Sequence, residues 1–230
     1  MPHPFDAAHF MREVSNHRMP RYVAFLRGIN LGKRRIKMDR LRELFEGLGF
    51  NQVETFIASG NVLFESKVRN DQKLSQQIER HLAKSLGYDV DTFIRTQNEV
   101  VALAAIQPFT KADLEHPANT IHVGLLKEPL DPGTIRKLVA CRTEVDDFYA
   151  AGRDFCWLCR IKSHESKVWS SPQMKAAALP PATLRNLTTI RKIAALHSDL
   201  SVNDLCVPTQ PHRPRQDVSN AANLHLAQNQ

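Results

Sequence analysis

The chain lacks the features that would place it in a membrane or in an oxidising compartment. None of its 230 residues belongs to an apolar run close to the roughly 20 residues that a membrane-spanning helix needs. Residues 1–20 contain no continuous apolar stretch and no arginine-rich pattern, so we expect neither a secretory signal nor a targeting segment there. Only four cysteines are present (Cys141, Cys156, Cys159 and Cys206), and in a cytosolic chain they predict free thiols. We therefore expect a cytoplasmic protein with no membrane association.

Sequence motifs for nucleotide, metal or redox chemistry are also missing. The chain has neither G-x-x-x-x-G-K-[ST] nor G-x-G-x-x-G. Cys156 and Cys159 form a C-x-x-C inside a predicted strand, where residues three apart point to opposite faces, and no second pair completes a zinc site. Residues 163–167 read SHESK, but catalytic groups meet by folding and not by adjacency along the chain. We expect no metal and no cofactor, the catalytic residues are unknown, and whether the chain is an enzyme stays open.

What the sequence does contain is a concentrated positive charge. The formal net charge is +7, from 31 lysines and arginines against 24 acidic residues. Residues 27–42 carry seven basic side chains against the single acid Asp39, so this one segment holds nearly the whole excess. The seven are Arg27, Lys33, Arg34, Arg35, Lys37, Arg40 and Arg42. Such a segment permits a polyanionic partner without requiring one.

Hydrophobic periodicity predicts the element order β-α-β-β-α-β twice, each time followed by one more helix. The first strand, YVAFLR, is apolar on both alternating faces, which favours cover on both sides of its sheet. The predicted strands are residues 22–27, 53–58, 62–64, 92–95, 120–126, 145–150, 154–158 and 183–187. The predicted helices lie near residues 38–48, 71–86, 97–106, 132–139, 172–179 and 188–196.

A repeat in the residues accompanies the repeat in element order. Residues 93–106 read FIRTQNEVVALAAI, and 90 positions later residues 183–196 read TLRNLTTIRKIAAL. Arg95 aligns with Arg185, the paired alanines align, and the apolar positions of the helices coincide. The agreement favours an internal duplication.

Together these patterns predict an α+β fold made of two tandem ferredoxin-like (βαββαβ) units with antiparallel sheets, each followed by an extra helix. We place the units at residues 21–110 and 118–197, with a polar joint at 108–117 between them. Residues 1–20 are expected to form a flexible N-terminal extension. Residues 198–230 are polar and contain three prolines, which predicts a disordered tail.

The candidate ligand-binding residues centre on the glycine-containing segment that follows the first strand, which we call the basic loop (residues 27–37). Glycine-rich turns after strands can present backbone N–H groups to phosphate, but the interpretation that the residues favour is an ordered loop with a solvated basic tip. Residues 59–61 are either a hairpin turn or part of a site. Arg95 and Arg185 end equivalent strands, where each could bind an anion or pair with a carboxylate across the domain joint. The candidates are Arg27, Gly28, Asn30, Lys33, Arg34, Arg35, Lys37, Ser59, Gly60, Asn61, Ser166, Lys167, Arg185 and Asn186.

Three segments give the chain a family resemblance. YVAFLRGINLGKRRIKM, TFIASGNVLFES and TLRNLTTIRKI occur in this order and together resemble an uncharacterised bacterial family, the domain of unknown function 1697, over residues 21–196. The resemblance implies two ferredoxin-like units and implies no activity. The family's recurrent positions coincide with residues 27–30, 59–61, 166–167 and 185–186.

The chain departs from the family pattern in two places, at Lys33 and Leu187, and the family pattern also bears on Cys159. Lys33 stands where the family usually has a second glycine, which implies a less tight phosphate-cradling loop. Leu187 stands where the family has a tryptophan, so the helix that follows must pack differently. Cys159 stands where an aromatic or apolar residue is common, which favours a structural C-x-x-C.

Three hypotheses for function arise from these patterns. The first is a binding protein that holds nucleic acid or a phosphorylated ligand through the basic loop. The second is an enzyme acting on a small anionic substrate in the inter-domain cleft, with contacts from Ser59, Asn61, Ser166, Lys167 and Arg185. The third is a protein–protein adaptor whose exposed sheet face pairs with a second copy, so the protein would be a monomer or a homodimer. An aromatic platform for stacking RNA bases is poorly supported by the few aromatics on the central strands.

Overall fold

The computed structural model describes residues 19–32 and 34–196. The strands are β1 (Arg21–Leu26), β2 (Asn51–Phe56), β3 (Asn61–Glu65), β4 (Thr92–Thr96), β5 (Thr120–Leu125), β6 (Asp146–Ala151), β7 (Asp154–Cys159) and β8 (Thr183–Asn186). The helices are α1 (Met38–Glu46), α2 (Asp71–Leu86), α3 (Gln97–Ala105), α4 (Lys111–Glu115), α5 (Pro132–Ala140), α6 (Pro172–Ala177) and α7 (Leu187–Ala195), with a 3₁₀ turn at Val168–Ser170. The predictions for residues 1–18, for Lys33 and for the tail lie outside the described residues. Within the described ranges, no helix is long and apolar enough to cross a membrane.

The strands form two four-stranded antiparallel sheets with the same internal order. The first sheet runs β2-β3-β1-β4 and the second β6-β7-β5-β8. Val23 of β1 pairs with Leu63 on one side and Arg95 on the other. The α+β class predicted from periodicity is confirmed. We call residues 21–105 the first half of the protein and residues 120–195 the second half.

The outer face of each sheet is covered by helices of its own half. Tyr22, Ala24 and Leu26 of β1 pack with apolar residues of α1 and α2. In the second sheet, Phe155 and Trp157 of β7 pack with residues of α5 and α6. The alternation along YVAFLR places every second side chain in this outer core.

The inner faces of the two sheets share one core with the two extra helices. Val23 and Phe25 of β1 lie in the same buried cluster as Val123 and Leu125 of β5. Helices α3 and α7 pack against each other and add their apolar sides to the cluster. The prediction that β1 is covered on both faces is confirmed, because each of its two alternating sets of side chains is buried in a different core.

Two helix boundaries follow from their caps. Thr96 and Glu99 form the predicted capping box at the start of α3. The eighth strand ends at Asn186, one residue earlier than predicted, because the Asn186 side chain accepts a hydrogen bond from the Thr188 N–H and begins α7. The predicted polar joint also contains the short helix α4, capped by the Thr110 side chain.

The β2–β3 connection differs from its prediction. β2 begins and ends two residues earlier than expected, because its pairing with β3 extends from Asn51 to Phe56. The register shifts between Asn51 and Glu54, where Gln52 has a positive φ of 47°, as in a β-bulge. The turn therefore spans residues 57–60. Asn61 is the first residue of β3, paired with Phe25 and Phe56, and not part of the turn as predicted.

Candidate functional site

The side chain of Asn30 bonds both to the far end of the basic loop and to the β2–β3 turn. Its Oδ1 accepts a hydrogen bond from the Ile36 N–H at 2.8 Å, and its Nδ2 donates to the Ala58 carbonyl at 3.0 Å. The first bond closes the loop and the second joins it to the β2–β3 turn. Gly28 and Gly32 have positive φ values of 69° and 62°, which let the chain reverse on either side of Asn30.

Gly60 allows the turn to lie directly against the base of the basic loop. Its φ is 76°, and a Cβ there would come within 2.5 Å of Ile29 Cγ2 and 3.1 Å of Leu26 Cβ. The Leu26 N–H donates to the Gly60 carbonyl at 2.8 Å. Any side chain at position 60 would push the turn away from the loop, so the two predicted segments meet as one unit.

Arg185 reaches this unit from the second half. Its guanidinium is almost fully buried, and every one of its three nitrogen atoms donates to a partner inside the protein. The acceptors are Asn61 Oδ1 (2.6 Å), Thr183 Oγ1 (2.8 Å), and the carbonyls of Leu26 (2.8 Å), Leu184 (2.9 Å), Ser59 (2.9 Å) and Gly60 (3.4 Å). No carboxylate is among these acceptors, and burial lowers the pKa of Arg185 to about 10. The side chain is still a cation at neutral pH, but its N–H donors bond to groups inside the protein and so hold the β2–β3 turn in place.

Arg95 makes the equivalent contacts from the first half to the second. It is fully buried, and its Nη2 donates to Asp154 Oδ1 at 2.7 Å and to the Leu126 and Arg153 carbonyls at 2.8 and 2.9 Å. Each arginine thus reaches from the fourth strand of one half to the hairpin and the first-strand end of the other half. Of the two roles considered for these arginines, pairing with a carboxylate across the joint is the one that Arg95 performs.

The charge of residues 27–42 is less available than the sequence suggests. Four of its cations have carboxylate partners or lie outside the described residues. Arg27 pairs with Asp91, Arg40 with Glu43, and Arg42 with Asp39 and Glu46, while Lys33 is not described. Among the residues that the structure describes, Arg34, Arg35 and Lys37 form no salt bridge, and all three are exposed.

The loop between α2 and β4 lies against one side of the basic loop. The Arg34 guanidinium carbon sits 4.3 Å from the centre of the Tyr88 ring. A cavity of about 290 Å³ here is lined partly by Asp89 and Asp91. Sequence reasoning missed these residues, although the predicted topology places the start of the fourth strand beside the end of the first, where Leu26 pairs with Thr92. These carboxylates offset the cations Arg27 and Arg34, which line the same cavity, whereas the exposed cations Arg35 and Lys37 are not part of its lining.

Ser166 and Lys167 do not join this group. The Ser166 hydroxyl donates to Asp146 Oδ1 at 2.8 Å, and the Trp157 indole N–H donates to the same oxygen at 2.8 Å. Asp146 lies on edge strand β6, whereas Arg185 lies on the opposite edge strand β8. Three strand spacings of about 4.8 Å separate those edges by about 14 Å. The convergence of Ser166 with Arg185 that the enzyme hypothesis needs is absent from the described contacts.

The two cysteines of the C-x-x-C occupy different cores. Cys156 lies in the central cluster and Cys159 in the outer cluster of the second half, as the strand geometry predicts. Burial raises the pKa of the Cys156 thiol to about 12, so it is protonated at neutral pH. No group of three metal-binding side chains occurs in the described part of the chain.

A separate cleft runs between the two halves, lined by α2, β4, the residues after β5 and the β6–β7 hairpin. Its volume is about 540 Å³. Lys127 Nζ lies 2.6 Å from Glu79 Oε1, and Arg153 Nη2 lies 2.7 Å from Asp71 Oδ2, so ion pairs between the halves edge the cleft. Of the residues that the sequence analysis considered for anion binding, Arg95 lines it, but its donors bond to Asp154 and to the Leu126 and Arg153 carbonyls. Sequence reasoning missed this cleft, because the residues that line it come from segments that are distant in the chain and share no motif.

Comparison with known proteins gives a family and a fold. The family model described as "Protein of unknown function (DUF1697)" matches residues 19–155. The solved structure of a conserved bacterial protein from Streptococcus pneumoniae is similar with a TM-score of 0.60 and 22% identity, covering 78% of this chain and 98% of that protein. No match was found among curated proteins. The similarity to the solved structure extends to the fold alone.

Proposed function

This chain belongs to the DUF1697 family of proteins of unknown function, and because that membership assigns no activity, we propose one from the site: the protein binds nucleic acid through the basic loop. The observation that carries the proposal is the pair of exposed cations, Arg35 and Lys37, on a loop fixed by Asn30. A fixed loop loses little conformational entropy when it binds.

The shape of the surface favours an extended polyanion over a small phosphorylated ligand. The cavity beside the loop is lined by Asp89 and Asp91 together with Arg27 and Arg34, so the charges of its lining offset one another and it offers no excess positive charge to a small phosphate. Arg35 and Lys37 do not line that cavity and are exposed, so successive phosphates of a strand could each meet one of these cations. A single small phosphate ester would use only part of this surface.

A salt titration tests the proposal. Fluorescence anisotropy with labelled single- and double-stranded nucleic acid should show an affinity that falls as salt rises, with a logarithmic slope of about −3 from the three unpaired cations. The double variant Arg35→Ala/Lys37→Ala should lose affinity and reduce the slope by about 2.

A matched double variant controls for net charge. Arg40→Ala/Arg42→Ala removes the same charge from the same segment, but both side chains already pair with carboxylates on α1. Its affinity should fall much less. Absence of binding at low salt, or an equal loss in both double variants, would refute the proposal, and competition by a nucleotide as strong as by a polymer would favour the small phosphorylated ligand.

A second candidate function rests on the cleft between the halves. Its volume of about 540 Å³ is in the range of small-molecule sites, and cations and carboxylates face each other across it. Because Lys127 and Arg153 are already paired with Glu79 and Asp71, the lining suits the purely anionic substrate expected from the sequence less well than a zwitterion, which carries a charge for each member of such a pair. Thermal-shift measurements with an α-amino acid, its N-acetyl form and its amide test this: stabilisation by the zwitterion alone supports the site, and no shift at millimolar concentrations excludes it.

The adaptor hypothesis finds less support. Both faces of each sheet are covered in the described residues, so a second copy would have to displace a packed layer to pair through a sheet face.

We further propose that the two halves are ferredoxin-like units that arose by duplication. The identical sheet orders, the 90-residue spacing of Arg95 and Arg185, and their reciprocal contacts support this proposal. A cytoplasmic location stays a prediction.

A further inference from the structure

Helix α2 presents a polar side to the cleft between the two halves. Four of its residues recur at intervals of three and four positions and line the cleft: Gln72, Ser75, Gln76 and Glu79. The Ser75 hydroxyl donates to the Gln72 carbonyl at 3.0 Å, and Glu79 takes part in an ion pair. The side-chain amides of Gln72 and Gln76 are exposed and make no hydrogen bond to any residue that the structure describes. This side of the helix therefore offers two free amides to a ligand.

The cations that line the cleft already bond to carboxylates. The lining contains three of them, Arg95, Lys127 and Arg153. Arg153 Nη2 donates to Glu99 Oε1 at 2.6 Å as well as to Asp71 Oδ2 at 2.7 Å, so one guanidinium nitrogen binds two carboxylates. The other two cations are paired as described above, so every cation of the lining has an anionic partner.

Carboxylates outnumber cations in the same place. Five carboxylates either line the cleft or bond directly to its three cations: Asp71, Glu79, Glu99, Glu128 and Asp154. The side chain of Glu128 is exposed and forms neither a hydrogen bond nor an ion pair within the described part of the chain. The cleft thus has an excess of negative charge, and Glu128 is the carboxylate left free to accept from a ligand.

This excess of negative charge distinguishes between classes of zwitterion. An α-amino acid with a neutral side chain adds no net charge and leaves the excess in place. An ammonium or guanidinium group on the side chain adds a positive charge, which an unpaired carboxylate can accept through a charge-assisted hydrogen bond. The free amides of Gln72 and Gln76 can donate to the α-carboxylate without adding to the charge. The lining therefore fits a zwitterion that carries one further cation.

We propose that the cleft binds a basic α-amino acid, with Glu128 as the residue that recognises the side-chain cation. The α-ammonium and α-carboxylate groups then face the ion pairs Lys127–Glu79 and Arg153–Asp71, which contain a partner for each. This inference rests on the second candidate function, the zwitterion site, and names the class of its ligand.

The test compares lysine with analogues that lack one of its charges, using calorimetric titration of the full chain. Norleucine has the same carbon chain without the side-chain ammonium, and cadaverine lacks the α-carboxylate. Lysine should bind about fivefold more tightly than norleucine, the difference expected for one exposed ion pair. Cadaverine should bind more weakly than lysine, and equal binding of the two would overturn the amino-acid class in favour of a simple diamine.

A pair of variants assigns the preference for lysine to one carboxylate. Glu128→Gln should reduce the affinity for lysine to that for norleucine and leave the affinity for norleucine unchanged. Glu144→Gln removes the same charge from an exposed carboxylate outside the cleft and should change neither affinity. The melting temperature of Glu128→Gln without ligand should equal that of the wild type, because the carboxylate has no partner in the described residues.

The outcomes separate this inference from the zwitterion site on which it rests. Equal affinities for lysine and norleucine, a preference that persists in Glu128→Gln, or an equal loss in Glu144→Gln refutes the role of Glu128 and leaves the zwitterion site standing. No binding of either amino acid at millimolar concentration refutes both. Neither result bears on nucleic-acid binding, because Arg35 and Lys37 do not line the cleft.

Discussion

At the scale of single residues, Arg185 shows how a side chain with the profile of an anion ligand can instead hold the structure together. Its donors go to Asn61, to Thr183 and to carbonyl groups, and the carbonyls of Leu26 and Ser59 belong to the other half. We interpret it as the residue that positions the β2–β3 turn, and through Asn30 the basic loop.

Replacement of Arg185 by alanine should therefore be strongly destabilising. Several buried carbonyl groups and the Asn61 side chain would lose their donor, and we expect the free energy of unfolding to fall by about 3–5 kcal/mol in urea denaturation. The matched variant Arg191→Ala removes an exposed arginine with one hydrogen bond, to the Ala104 carbonyl at 3.2 Å, and should change stability by less than about 0.5 kcal/mol. Similar effects in the two variants would contradict the proposed role of Arg185.

The Cys156 thiol should be unreactive in the folded protein. Burial raises its pKa to about 12, so a negligible fraction is thiolate at pH 7–9, and the side chain is also inaccessible. Peptide mapping after brief iodoacetamide treatment should find Cys156 unmodified in the native protein and modified in urea. Modification at pH 8 without denaturant would show that the central core opens.

The same pKa shift gives a direction for stability. Because the folded-state pKa lies above the unfolded value of 9.0, the unfolded state loses this proton first as the pH rises. The contribution of Cys156 to stability is thus complete below pH 9 and is lost between pH 9 and about 12. The variant Cys156→Ala should show a smaller fall in urea midpoint over that interval than the wild type.

At the scale of elements, the two central helices depend on side-chain caps. Thr96 caps α3 and Asn186 caps α7, at equivalent places in the two halves. Asn186 was also a candidate ligand residue, but its side chain oxygen accepts from the Thr188 N–H at 2.8 Å, which gives it a structural function.

Alanine at either cap should cost about 1 kcal/mol of stability, since one helix N–H group loses its acceptor. Urea denaturation measures this for Thr96→Ala and Asn186→Ala. Neither variant should alter the salt slope of nucleic-acid binding. A change in that slope for Asn186→Ala alone would indicate that Asn186 contacts the ligand.

At the scale of the whole molecule, the two sheets meet in a core to which both halves contribute. Phe25 of the first half is fully buried in the same cluster as Val123 and Ile190 of the second half. The reciprocal contacts of Arg95 and Arg185 join the fourth strand of each half to the hairpin of the other half at the edge of this core. Neither half keeps its inner sheet face covered without the other.

The described chain should consequently unfold in a single cooperative step. Both tryptophans, Trp157 and Trp169, lie in the second half, so their fluorescence reports that half alone. Hydrogen exchange of the β1 amides reports the first half, and both probes should give the same urea midpoint. Phe25→Ala should lower the two midpoints together, by about 3–5 kcal/mol in free energy, whereas a β1 transition that precedes the fluorescence change would contradict a shared core.

The sequence by itself determined the α+β class, the alternation of strands and helices, and the two-sided burial of β1. Each of these depends on local patterns, namely period-two or period-3.6 apolar residues and caps such as Thr96–Glu99, which act within a few residues. Even the opposite faces of Cys156 and Cys159 follow from strand geometry alone. The predicted strand boundaries were wrong in two places where a single residue has a local effect, near the Gln52 bulge in β2 and at the Asn186 cap that ends β8.

Only the tertiary structure decided which side chains come together. Asn61 and Arg185 are 124 residues apart in the chain, and no local pattern shows that they are bonded at 2.6 Å. The division of residues 27–42 into paired and free cations likewise depends on Asp91, 64 residues beyond Arg27. Charge and periodicity are properties of segments, whereas the donors that remain free for a ligand are those left over after long-range contacts form, and those contacts exist only in the folded chain.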